Sequence, residues 1–450
     1  MRYDIVDTTT TIVAPATAAG GAVMVVRLSG SRAIEIADSV FRSRRRLADS
    51  EGYTLHYGTL HNQLDEVIDD VVVALFRAPH SYTGDDTVEI TIHGSEHICS
   101  ELLRLCIERG AQMATAGEFT RRAFLAGKMD LSRAEAVADV IASDSRWSLN
   151  IASTQMRGDY SRHLAALRGE LLRLMSLLEL ELDFSEEDVE FADRKQLRSI
   201  LDNVGGEIES LMSSFSLGNI LKNGVNVAIV GEPNVGKSTL LNTLVGDDRA
   251  MVSDIAGTTR DTIEATTVID GIRYRFVDTA GLRDTDDRLE QMGIDRTRRA
   301  IECAHIILHI TSADNPTFEN IELQSHQHYI RVINKIDLTT SSSFSDIDAV
   351  MISAKEGIGI DTLRATLRGV ANTTSLDSGS VVVSNMRHYS ALDKALAALN
   401  GARLAMNSDI PTDLLSEDIR QILHHLGEIT GEITTTDILQ NIFSKFCIGK

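Results

Sequence analysis

GEPNVGKS, residues 231–238, follows the apolar run NVAIV and runs directly into the helical pattern TLLNTLVG. It fits G-x-x-x-x-G-K-[ST] in the strand–loop–helix setting that this motif requires. Gly231 and Gly236 let the backbone wrap its N–H groups around phosphates. Lys237 reaches the β- and γ-phosphates, and the Ser238 hydroxyl goes to Mg²⁺. Asn234, Val235 and Thr239 complete the candidate set of this loop.

Further motifs follow in order along the chain. SDIAGTTRD (253–261) supplies Ser253, Asp254, Ile255, Ala256, Gly257, Thr258 and Thr259, with the Thr259 hydroxyl as a second Mg²⁺ ligand on a switch segment. DTAG (278–281) ends the run YRFVDT. There Asp278 holds Mg²⁺ through water and the Gly281 N–H meets the γ-phosphate, with Thr279 and Ala280 beside them. NKID (334–337) ends another run, with Asn334, Lys335 and Asp337 as candidates, and Asp337 offers two acceptor oxygens to guanine N1–H and N2–H₂. Adenine has no such pair of donors. Two charge-assisted hydrogen bonds of about 1.5–3 kcal/mol each make GTP the nucleotide of choice. SAK (353–355) brings Ser353, Ala354 and Lys355 to guanine O6 through the backbone. Motifs at the carboxyl ends of parallel strands mark a ligand site. One position departs from common GTPase usage. Leu282 follows the DTAG glycine where a Gln often orients water, so hydrolysis needs another water-positioning group and another positive charge.

The surrounding texture predicts a multidomain chain. Residues 1–118 alternate in the strand manner in AVMVVRL, YTLHYGTL, DDVVVALF and DTVEITIHG, with a helix over 98–109, and read as an α+β domain. Residues 119–224 are helical, carrying the stripes Leu164–Leu182 and Leu197–Phe215. Residues 225–376, with the nucleotide motifs between Val225 and Ala371, form an α/β domain with a parallel or mixed sheet and helices on both faces. Helical texture returns over 377–450, so the α/β domain is inserted into a helical one.

Composition bounds the function. The net charge is −21, from 44 basic and 65 acidic residues, so the chain lacks the basic footprint of a free-standing nucleic-acid binder. Four scattered cysteines give neither a disulfide scaffold nor a zinc ribbon. There is no apolar run of about 18 residues to span a membrane. The start MRYDIVDTTTTIVAP is acidic and polar, unlike a signal peptide, and a cytoplasmic location is expected.

GEPNVGKS, SDIAGTTRD, DTAGLRD and the final CIGK resemble the tRNA modification GTPases written MnmE or TrmE, as do PHSYTGDDTVEITIHG and AGEFTRRAFLAGKMDLSRAEAVADVI. The resemblance implies a folate-binding, dimerising N-terminal domain, a helical domain, and a G domain that dimerises around K⁺. By resemblance Asn234, Ser253, Ile255 and Thr258 are K⁺ ligands, the cation taking the place of an arginine finger. Ser253 stands where a Thr is expected. Glu290 matches the acid that orders the attacking water. Arg27, Glu89, Lys128 and Lys450 match folate-binding positions, with Arg27 and Lys128 suited to glutamate carboxylates and Glu89 to pterin N–H groups. The folate would be a 5-formyl- or 5,10-methylene-tetrahydrofolate. The implied assembly is a homodimer joined by an FAD-dependent MnmG/GidA-like partner in a heterotetramer that acts on tRNA, with FAD held only by the partner. The implied reaction adds a carboxymethylaminomethyl-type group at C5 of wobble uridine, position 34. Cys447 is the candidate thiol for that chemistry.

Other patterns and functions compete. HGSEH (93–97) matches a zinc-protease string, but His93 ends a strand pattern and Ser95 reads as a helix N-cap, which separates the two histidines. The pair His424-His425 reads as a surface or packing pair. Gly and Lys in the last two positions argue against prenylation of Cys447. A GTP switch for ribosome or membrane assembly is the main alternative function. A folate-dependent one-carbon enzyme with a regulatory G domain is a third.

Overall fold

Strands at Ile12–Pro15 (β1), Val23–Ser29 (β2), Phe41–Ser43 (β3), Thr54–His61 (β4), Val67–Phe76 (β5), Thr87–His93 (β6) and Gln112–Met113 (β7) build the first sheet. Its order is β3-β4-β5-β6-β2-β1-β7, antiparallel throughout except for the β1–β7 pair. The four alternating runs of the sequence are β2, β4, β5 and β6. The computed structural model describes residues 9–183, 194–246, 264–278, 300–324, 327–339, 347–371, 381–407 and 412–450. Contacts divide the chain into two units: Met1–Ile141, Gln155–Gly206 and Ser390–Lys450 in one, Ala142–Thr154 and Glu207–Tyr389 in the other.

In the first unit, helices Ala33–Val40 (α1) and Glu96–Glu108 (α2) cover one sheet face. Their Ile36, Val40, Leu102 and Cys106 pack against Val26, Val73 and Ile90. Period-two alternation leaves the other face with Val25, Thr91, Val72 and Tyr57 in one cross-strand row, and Arg27, Glu89, Ala74 and Leu55 in the next. The helical part begins with Glu118–Leu125 (α3) and Leu131–Ala142 (α4). Arg146–Met156 (α5) falls mostly in the second unit. Asp159–Asp183 (α6) buries Leu164, Leu167, Leu171, Leu174 and Leu178, the stripe legible in the sequence. Arg194–Ser213 (α7), Phe215–Asn223 (α8) and Lys237–Val245 (α9) follow in sequence.

In the second unit, Val225–Val230 (β8), Glu264–Ile269 (β9), Ile272–Asp278 (β10), Ile306–Ser312 (β11), His328–Asn334 (β12) and Val350–Met351 (β13) form a sheet of order β13-β12-β11-β8-β10-β9. All pairs are parallel except β9–β10. α9 and Ile360–Ala371 (α10) cover one face through Leu240, Leu244, Leu363 and Leu367. Ala228, Val230 and Ile307 meet Ile301 on the other. The chain then returns to the first unit at Ser390 with Met386–Asn407 (α11), Thr412–Thr430 (α12) and Thr436–Phe443 (α13). α12 lies along α6. Among the described residues no helix is long and apolar enough to cross a membrane.

Candidate functional site

The nucleotide loop begins where β8 ends. Gly231 has φ +147°, and a Cβ there would stand 2.1 Å from the Ile310 carbonyl oxygen. Gly236 has φ +100°, and a Cβ there would meet Asn334 Nδ2 at 2.4 Å. Only glycine fits either position. α9 starts immediately after Gly236, so the loop closes on a helix N-terminus whose free N–H groups favour anions. Lys237 is 6% exposed and its Nζ donates to the Gly231 and Glu232 carbonyls at 2.7 and 2.8 Å. The ammonium is thereby held over the loop it serves. Asn234, with φ +64°, turns outward beside it, and Ser238 and Thr239 are exposed on the first turn.

Asn334 fastens three motifs together. Its Nδ2 donates to the Val235 carbonyl at 2.8 Å, and its Oδ1 accepts from the Ala354 N–H at 2.9 Å. Thr243 on α9 adds a bond to the Ala354 carbonyl at 2.8 Å. The phosphate loop, NKID and SAK are thus one hydrogen-bonded body, with Ser353 and Asn334 buried inside it. Lys335, at φ +62°, lines the same cavity of about 1430 Å³ as Gly231, Asn234 and Lys237. Asp337 is exposed on the short helix Ile336–Leu338, and Lys355 is exposed beside Glu356. Asp278 ends β10 in register with Ile229 of β8, two residues before the loop. Ser253, Asp254, Ile255, Ala256, Gly257, Thr258, Thr259, Thr279, Ala280, Gly281, Leu282 and Glu290 lie outside the described residues.

In the other unit, the C-terminal motif docks on the first sheet. Gly117 has φ +68°, and a Cβ there would strike the Phe443 carbonyl at 2.8 Å; its N–H donates to the Cys447 carbonyl at 3.4 Å. Phe443 and Phe446 are buried against Leu131 and Ala134. Gly449 is buried with φ +96°, and a Cβ there would lie 2.1 Å from the Pro15 carbonyl. Arg27 Nη1 donates to the Gly449 carbonyl at 3.2 Å, while its Nε bonds Glu89 at 2.8 Å. The Arg27 guanidinium also lies over the rings of Tyr82 and Phe119, at 5.7 and 5.5 Å. Tyr82 shares a 2.9 Å hydrogen bond with Thr120, and burial pushes its phenol above the usual range. Arg122 fixes the start of α3, donating to the Thr10 carbonyl and to Glu118.

The four folate candidates therefore converge. Arg27 and Glu89 are paired, Lys450 follows the residue Arg27 holds, and the Lys128 side chain lies beside Gly84, two residues from Tyr82. Arg27 and Glu89 are bonded to one another at 2.8 Å. Sequence reasoning passed over Tyr82, Phe119, Thr120 and Gly449, which lie inside the very motifs it singled out. Cys447 is exposed at this junction, whereas burial pushes the Cys106 thiol up to about 12.

His93 and His97 stand on different elements, the end of β6 and α2, and Ser95 Oγ caps α2 by accepting from Ile98 N–H. His93 instead pairs with Asp69 at 2.6 Å. His424 is exposed and His425 half-buried, and both face Glu428.

The profile of the GTP-binding protein TrmE N-terminus matches residues 11–128, and that of the MnmE helical domain matches residues 131–447. The tRNA modification GTPase MnmE of Bacteroides fragilis is 48% identical over 98% of this chain and 99% of its own length. The chain belongs to the tRNA modification GTPase family MnmE. MnmE relatives from Bacteroides thetaiotaomicron and Cytophaga hutchinsonii are 46% and 47% identical, each over 98% of this chain and 99% and 98% of their own lengths. As a member of the MnmE family the chain is a GTP hydrolase of tRNA modification, using GTP and Mg²⁺. Among solved structures, Era of Aquifex aeolicus bound to GDP·AlF4⁻ is 27% identical, covering 38% of this chain and 65% of that one with a TM-score of 0.26.

Proposed function

We propose that this MnmE-family GTPase takes part in building a carboxymethylaminomethyl-type group at C5 of wobble uridine, with a one-carbon tetrahydrofolate at the Arg27 cluster and Cys447 as the chemical thiol. The observation that carries this reading is the bond from Arg27 to Gly449, which sets the exposed thiol two residues from a charged cluster flanked by the rings of Tyr82 and Phe119. Arg27 is half-enclosed between two rings, a setting suited to a flat, polar ring system or a carboxylate. An FAD-dependent MnmG/GidA-like partner supplies the redox chemistry and the basic tRNA surface that a chain of net charge −21 lacks.

A homodimer fits the open face of the first sheet. Leu55, in the cross-strand row of Arg27 and Glu89, and Tyr57 and Val72 in the adjacent row are 74%, 71% and 40% exposed there, an apolar patch. In the G domain, Asn234, Ser253, Ile255 and Thr258 hold K⁺, Ser238 and Thr259 hold Mg²⁺, and Glu290 orders the attacking water. The cytoplasm is the compartment where such a complex meets tRNA.

Mass spectrometry of tRNA nucleosides from cells lacking the protein tests the assignment. Loss of the C5 group from wobble uridine is expected. Unchanged nucleosides, with a ribosome-assembly or membrane defect instead, would favour the GTP-switch alternative.

A further inference from the structure

The chain has one tryptophan, Trp147. It lies in the stretch 142–154, whose contacts fall with Glu207–Tyr389, although the chain on both sides of it belongs to the other unit. What Trp147 touches is the turn of the β9–β10 hairpin. Asp270 and Gly271 form that turn with φ +51° and +82°, both left-handed, as a two-residue Asp-Gly turn requires. The Trp147 backbone N–H donates to the Gly271 carbonyl at 3.5 Å. A Cβ built on Gly271 would stand 3.7 Å from Trp147 Cδ1, so the indole edge lies against the turn. Asp144 pairs with Arg273 on β10. Ser145 and Ser148 cap one another at the start of α5, and Ile151 is buried in the core beside Ile272 and Tyr274. From the other side Arg368 on α10 holds Asp270 at 3.1 Å.

Topology gives this grip its meaning. β9 begins just after SDIAGTTRD, and β10 ends on Asp278 of DTAG. The strands pair with Glu264 opposite Val277, so both motifs leave the hairpin at one end and the gripped turn is at the other. The hairpin between the two motifs is about 20 Å long at roughly 3.3 Å per residue.

We propose that residues Asp144 to Ile151 are the output handle of the GTPase. A shift of the hairpin between nucleotide states passes through the Trp147–Gly271 and Asp144–Arg273 contacts into the chain on either side, α4 and α6. Asp144 and Trp147 are positioning residues, remote from the nucleotide. The proposal rests on the GTPase activity and not on the folate assignment.

The full chain supplies its own reporter. Trp147 emission is recorded with GDP and with GDP–aluminium fluoride, in Mg²⁺ and K⁺, and bound nucleotide is quantified separately by chromatography. The emission is expected to differ between the two states. Identical spectra with nucleotide bound in both would overturn the handle and leave the GTPase standing, whereas absence of bound nucleotide would overturn both. Asp144→Asn is expected to retain GTP hydrolysis and thermal stability while wobble-uridine modification falls on the order of fivefold or more, the lower range of a coupling energy. Asp144→Glu is expected to restore it. Full modification in Asp144→Asn, or parallel loss of hydrolysis and modification, would overturn the proposal.

Discussion

Arg27 and Gly449 are 422 positions apart in sequence and 3.2 Å apart in space. The guanidinium that pairs with Glu89 on the neighbouring strand also holds the carbonyl two residues beyond Cys447. A chain terminus is ordinarily frayed unless tied down. Here the tie is a charged side chain, a left-handed glycine and two buried phenylalanines, Phe443 and Phe446.

Gly449→Ala should release the tail. A Cβ has no room against Pro15, and overpacking of this kind costs about 1–3 kcal/mol. Limited proteolysis of the native protein checks this: cleavage at Lys445 should be rapid in the variant and slow in the parent. A protected tail in the variant would mean that Pro15 yields instead.

Arg27→Ala should weaken binding of a tetrahydrofolate derivative tenfold or more, from the loss of charge-assisted hydrogen bonds of about 1.5–3 kcal/mol. Titration calorimetry on the full chain measures it. Equal affinities in parent and variant would remove the folate from this cluster.

Asn334→Ala should separate the phosphate loop from SAK. It leaves the Ala354 N–H and the Val235 carbonyl without a partner inside a buried junction, at about 1–3 kcal/mol for each group. GDP affinity, followed by competition with a fluorescent analogue, should fall at least about tenfold. Parent-like affinity would show that the three motifs are held together by other means.

GTP turnover should be several-fold faster in K⁺ than in Na⁺ at matched ionic strength. Leu282 is unable to orient water, and Asn234 is turned outward at the loop where a cation would sit between phosphates. Equal rates in the two salts would remove K⁺ from the mechanism.

The phosphate loop, NKID and SAK, which the structure joins, were legible in the sequence as short motifs of fixed spacing, each following an apolar strand. The α6 stripe was equally legible, since a helix repeats its buried face every three or four residues. β9 was not. Its sequence EATTVI lacks an apolar run, and only the following Asp-Gly marks the hairpin it forms with β10. The Arg27–Gly449 junction has no local pattern, because the fold alone brings its members together. For the same reason nothing in SDSRWSLNI announces that Trp147 and Ile151 pack with the G-domain sheet.

We propose that the exposed Cys447, two residues before the Gly449 that Arg27 holds, does chemistry on wobble uridine and no structural work. Cells lacking the protein and complemented with Cys447→Ser test it most directly, with wobble nucleosides measured by mass spectrometry and GTP hydrolysis measured on the purified variant. Parent-like hydrolysis and loss of the C5 group are expected. Normal wobble uridine in the complemented cells, or loss of hydrolysis together with the modification, would contradict it.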